Sequence, residues 1–159
     1  RGVSGSRRRL AQRFRAGLVM PRHSSGSRGW TETFAGSRGD VDGDGPDQPI
    51  DQRHLARYTV GDVVLETEIL GLFSTQSSEL FAQMTSARTA PEWKFATHSL
   101  KGSARAVGAW SVAELAAEAE FCAPLTVSAN DLVARISQEL ERTYAFVAEA
   151  YPAAQRQSA

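Results

Sequence analysis

The sequence holds a single cysteine, Cys122, among 159 residues. One thiol excludes an intramolecular disulfide framework and any multi-cysteine zinc site. No apolar run approaches the roughly 18–20 residues that span a bilayer, so an integral membrane protein is not expected. No Cys/His/carboxylate cluster stands at ligand spacing, and no metal site is expected. Strand-like alternation is absent, as is any internal repeat. Glycine-rich phosphate-binding motifs are also missing, so the chain is not expected to bind or hydrolyse ATP. Lysine is absent from residues 1–39, which carry nine Arg and one acid, Glu32, for a net charge of +8. The remainder, residues 40–159, is −8, so the formal net charge of zero averages two unlike parts. The two parts are read separately.

Residues 1–49 read as a tail. Gly, Ser and Arg dominate to Arg38, and Gly, Asp and Pro from Gly39 to Pro49. Such a stretch buries too little apolar surface to offset its ordering entropy, and disorder is expected. Arg1 rather than Met opens the chain, which reads as a fragment; Met20 is an alternative start. Acid-poor Arg/Ser segments also occur in organelle transit peptides, but Gly and Pro interrupt any long amphipathic helix here. Arg7-Arg8-Arg9 has the charge to meet phosphate backbones or acidic membranes; a solvated basic tail is the simpler reading. Asp40-Val41-Asp42-Gly43-Asp44-Gly45 matches the opening of a calcium loop. Pro46 and Pro49 then interrupt it, Asp51 stands where Glu is needed, and no helix precedes it. An acidic linker fits better.

From Ile50 onward the apolar period is 3.6. A short helix is expected from Asp51 to about Tyr58. The next starts at Asp62, an N-cap type, and runs to about Ala87 with Leu65, Ile69, Leu72, Phe73, Leu80 and Met84 in one stripe. A third runs from Pro91 to about Val107, stopped by Gly108. A fourth runs from about Trp110 to Cys122, ended by Pro124. The last starts after Ser128, whose spacing to Asp131 resembles a capping box, and turns Leu132, Ile136, Leu140, Tyr144 and Val147 inward. Four long amphipathic helices with short connections predict an all-α fold. The expected form is an antiparallel four-helix bundle, residues 50–152, with a short extra N-terminal helix over one end. Residues 153–159 read as a C-terminal tail, and Cys122 as a small buried hydrophobe.

On a wheel of the third helix, Trp93, Ala96, Leu100, Ala104 and Val107 share the core face. His98, Lys101, Gly102 and Arg105 stack on the opposite side at i, i+3, i+4 and i+7. Glycine inside a helix costs about 1 kcal/mol relative to alanine. One turn after His98, it leaves the imidazole open to a large group, and the two cations supply charge for an anion on that ring. The set suits a histidine that accepts a phosphoryl group.

Thr97-His98-Ser99-Leu100-Lys101-Gly102-Ser103-Ala104-Arg105-Ala106-Val107-Gly108 resembles the signature of histidine-containing phosphotransfer (HPt) domains. That signature is His-x-x-Lys-Gly, then small residues and another glycine. The resemblance extends over roughly residues 50–150. It implies a four-helix bundle with phosphorylation of His98 at Nε2, phosphoryl stabilisation by Lys101 and close docking across Gly102. Glu120 matches the position where the P1 domain of chemotaxis histidine kinases has a glutamate that hydrogen-bonds the histidine. Such a carboxylate takes Nδ1–H and leaves Nε2 as nucleophile. Gln76, polar on an apolar stripe, is read as a hydrogen bond near the histidine or as a satisfied core amide. Phe95, off the core side, is a docking contact or an ordinary exposed aromatic; Arg105 and Gln76 join it as docking candidates. His23 and His54 lack any such setting.

The resemblance implies a stoichiometric phosphocarrier in a multistep two-component relay, exchanging phosphate with receiver-domain aspartates or a hybrid histidine kinase; a cytoplasmic location and, by default, a monomer are expected. No cofactor is expected on this chain; magnesium is expected on the partner receiver. The alternative is a helical adaptor that binds a receiver or kinase without carrying phosphate. Nucleic-acid binding through the Arg-rich tail is a weaker reading, opposed by the −8 remainder.

Overall fold

The computed structural model describes residues 48–154. All but the last two residues of the expected tail fall outside them. So do the Arg7–Arg9 cluster, His23, the calcium-like stretch and residues 155–159. Five helices and no strand are present among the described residues: α1 Gln52–Thr59, α2 Val63–Ser86, α3 Ala90–Val107, α4 Trp110–Ala119 and α5 Val127–Ala150. None is long and apolar enough to cross a membrane.

Local chemistry sets most boundaries. Asp62 caps α2, its carboxylate accepting from Val64 N and Leu65 N. Thr89 and Glu92 form a reciprocal capping box at the start of α3, with Pro91 in the first turn. Gly108 ends α3 in the left-handed region, φ 78°. Two boundaries differ from the sequence reading. Helix α4 stops at Ala119 rather than near Cys122. Phe121 N and Cys122 N reach back only three residues, to Glu118 O and Ala119 O. That tightened turn precedes Pro124, which disfavours helical backbone at Ala123. Helix α5 starts at Val127, not after Ser128. Thr126 is extended, and its hydroxyl accepts from Ala129 N at 3.2 Å, so it takes the cap.

One apolar core gathers Leu65, Ile69, Phe73, Leu80 and Met84 of α2 with Trp93, Ala96, Leu100, Ala104 and Val107 of α3. Val112, Leu115, Ala116 and Ala119 of α4 and Leu132, Ile136, Leu140 and Val147 of α5 complete it. Leu72 is only half-buried; Leu70 is buried instead. Tyr144 and Cys122 are half-buried at the margin of the core. The core also runs past the expected boundary at residue 152, because Ala154 is buried and its carbonyl lies against Gly71. A Cβ at Gly71 would stand 3.0 Å from that oxygen. Buried polar groups are satisfied internally. Thr97 donates to Trp93 O and Ser77 to Phe73 O. Glu66 accepts from Thr59 Oγ1 at 2.8 Å and from Tyr151 at 3.3 Å.

At the α1 end, Asp51 caps α1 by accepting from His54 N at 2.8 Å, and it accepts from Trp110 Nε1 at 3.1 Å. The buried His54 ring lies edge-on between Tyr58 and Trp110. Burial holds its pKa below 6.5, the nearby Arg57 acts the same way, and Asp51 and the Arg105 carbonyl oppose them. The depressed folded value means that the unfolded chain takes the proton first. His54 therefore contributes stability that is fully present above about pH 6.5 and is lost as pH falls from there through the folded value. The urea midpoint is expected to drop between pH 7.5 and 5.5, and His54→Phe to flatten that segment of the profile. An equal drop in the variant would remove His54 as its cause.

Candidate functional site

Helix α3 carries the site because its capping box and core stripe fix its rotation. With Trp93, Ala96, Leu100 and Ala104 turned inward, His98 is turned outward, its side chain 70% exposed. Helix α4 delivers the partner. Glu120 is the C-cap of that helix, and its side chain is only 14% exposed. Its Oε1 lies 2.9 Å from His98 Nδ1. Lys101, 17% exposed, donates to the same carboxylate, 2.7 Å from Oε2 and 2.6 Å from Oε1. One carboxylate is thus held between an imidazole and an ammonium. An ionised carboxylate only accepts, so this bond calls for the proton on Nδ1, and the neutral ring then keeps its lone pair on Nε2.

Gly102 is a helical glycine without a packing reason. A Cβ built there meets nothing within 4 Å. The helix bears a residue that costs about 1 kcal/mol relative to alanine, and what it obtains is open space one turn beyond His98. Gly102→Ala is expected to raise stability by about 0.5–1 kcal/mol and to slow phosphotransfer. A denaturant midpoint and a single-turnover rate on the same samples separate the two effects. Unchanged transfer would remove access as the reason for glycine.

The other sequence candidates are placed as follows. Arg105 is exposed on the same helix and makes no part of the His98–Glu120–Lys101 group. Phe95, one turn before His98, is 64% exposed. Gln76 does not bond His98. Its Oε1 accepts from Ser103 Oγ at 2.9 Å, joining α2 to α3 beside Gly102. The sequence reading missed Phe121. It directly follows Glu120 and is 92% exposed, a second exposed aromatic beside a residue of this group. An aromatic beside the suspected carboxylate was the available signal. His54 belongs to the α1 end, apart from this group.

Searches of curated proteins and of solved structures returned no match. The family model for the Hpt domain matches residues 68–149, just over half of the chain and a span that includes His98, Lys101, Gly102 and Glu120. With an all-helical fold and an exposed histidine inside the matched span, the chain belongs to the Hpt domain family.

Proposed function

We propose that this protein is a histidine phosphocarrier, taking a phosphoryl group on His98 and passing it to or from a receiver-domain aspartate. Hpt domains act in phosphorelays as transfer intermediates. The observation that carries the reading for this chain is the Glu120 carboxylate on Nδ1 of an exposed imidazole, with open space over Gly102. Helix connections of only a few residues, with the Glu66–Tyr151 and Ser77–Tyr144 bonds, support an antiparallel four-helix arrangement with α1 over one end. In the proposed division of the chain, residues 1–49 are an appendage to this bundle.

In the forward step the Nε2 lone pair of His98 attacks phosphorus of the aspartyl phosphate. The N–P bond forms as the P–O bond breaks, and the aspartate carboxylate leaves with the electron pair. The ring becomes cationic as it loses that lone pair. Glu120, already on Nδ1–H, stabilises this charge and keeps the ring from rotating. Lys101, held by Glu120, stands ready to meet the incoming phosphoryl oxygens, and Gly102 lets the partner approach. Magnesium on the partner supplies charge stabilisation at the phosphoryl group. In this reading the carrier acts as a monomer in the cytoplasm.

The test mixes the full chain with a phosphorylated receiver and magnesium, without ATP. Acid-labile, alkali-stable label on this chain is the expected result. Complexes with several receivers but no label would overturn the carrier reading in favour of an adaptor.

A further inference from the structure

The hydrogen bond between Glu120 and His98 depends on where α4 ends, and one side chain holds that end from inside the core. Trp93 is 3% exposed. Its Nε1–H donates to Ala119 O at 2.7 Å. Ala119 is the last residue of α4 and the direct neighbour of Glu120. Beyond it the α-helical ladder gives way to the tightened turn through Phe121 and Cys122. Glu120 therefore sits where helix ends fray most readily. Helix α3 grips this end twice. Trp93 takes the Ala119 carbonyl from the core side, and His98 with Lys101 takes the Glu120 carboxylate from the outer side. Trp93 and His98 are five residues apart on one rigid helix, so the two grips fix the carboxylate relative to the ring. A buried indole N–H needs an acceptor, but an acceptor elsewhere in the core would serve packing equally well. This one is the carbonyl that anchors Glu120.

We propose that Trp93 is a positioning residue, its indole N–H holding the end of α4 so that the Glu120 carboxylate meets His98 Nδ1. The inference rests on the phosphocarrier reading for its consequence in rate, but its geometric content stands by itself. Trp93 touches neither the ring nor the phosphoryl group; it acts through Ala119 and Glu120.

The test uses the full chain with ¹⁵N-labelled histidine and the variant Trp93→Phe. His98 tautomer populations are read from the ring ¹⁵N shifts, and phosphorylation is followed with phosphoramidate as donor. The variant is expected to keep its helical content, to lose part of the Nδ1–H tautomer of His98 and to accept phosphate about three- to tenfold more slowly. In a Glu120→Ala background the same substitution is expected to change neither quantity further. Unchanged tautomer populations in folded Trp93→Phe would overturn the proposal, as would an equal loss in the Glu120→Ala background. Should phenylalanine leave the chain unfolded, the benzothienyl analogue of tryptophan at position 93 removes the N–H at constant shape. The tautomer readout needs no phosphoryl donor, so it decides the positioning role separately from wild-type label, which decides the carrier reading.

Discussion

Replacing His98 by Gln is expected to reduce phosphoryl acceptance to background while the melting temperature stays within a degree or two of wild type. The first half follows from chemistry. Glutamine offers an amide whose nitrogen lone pair is delocalised, so no nucleophile remains at the position of Nε2. The second half follows from placement. The His98 side chain is 70% exposed, and its one side-chain bond in the structure goes to Glu120. Surface substitutions of this kind change stability by about 0.5 kcal/mol or less, and the amide of Gln retains a donor for the carboxylate. Labelling from a phosphorylated receiver, with circular-dichroism melts of both proteins, reads both halves. Residual acid-labile label on the variant would move the acceptor to another histidine. A large fall in melting temperature would contradict the outward placement of the ring.

Gly108→Ala is expected to lower stability by about 2–5 kcal/mol without touching the reactive group. Gly108 closes α3 at φ 78°, a region that costs an ordinary L-residue roughly 1–2 kcal/mol. Space adds to the cost. A Cβ there would stand 3.0 Å from both Cβ and O of Asp51 and 3.3 Å from its N. Two of these three atoms are backbone, and Asp51 N also donates to Gly108 O at 3.0 Å. The two strands of chain cannot separate without losing that bond and disturbing the α1 cap. Overpacking of this sort costs about 1–3 kcal/mol. Urea unfolding should show a lower midpoint at unchanged slope. A change below about 0.5 kcal/mol would mean that Asp51 moves aside at no cost.

Periodicity and capping residues made much of the fold legible. Asp62 and Gly108 bound their helices as their chemistry requires, and the α3 core stripe follows from 3.6-residue spacing alone. That stripe turns His98 outward, with Gly102 near it on the helix. The α4 stripe put Glu120 on a flank within reach of α3, and the likeness to relatives named its partner; Pro124 marked the end of α4 only to within a turn. The helix ends three residues early through a tightened turn and Pro124, and Thr126 outcompetes Ser128 for the α5 cap because its backbone is extended. Long-range polar pairs were not legible at all. Glu66 with Tyr151, Ser77 with Tyr144, Gln76 with Ser103 and Trp93 with Ala119 depend on how helices meet. Sequence spacing within one helix carries no information about such meetings.

The placement of the reactive group between positions 93 and 120 has a consequence for folding. Every contact that builds it, from Trp93–Ala119 to Lys101–Glu120, joins two consecutive helices across the short Gly108–Ala109 link. Such contacts close a small loop and require little of the remaining chain to be in place. The polar contacts of the histidine are therefore made within the α3–α4 hairpin, and α1, α2 and α5 add their stability around it. Partial openings that release α5 should leave the His98–Glu120 pairing standing, so hydrogen exchange should report lasting protection in α3 after α5 amides have exchanged.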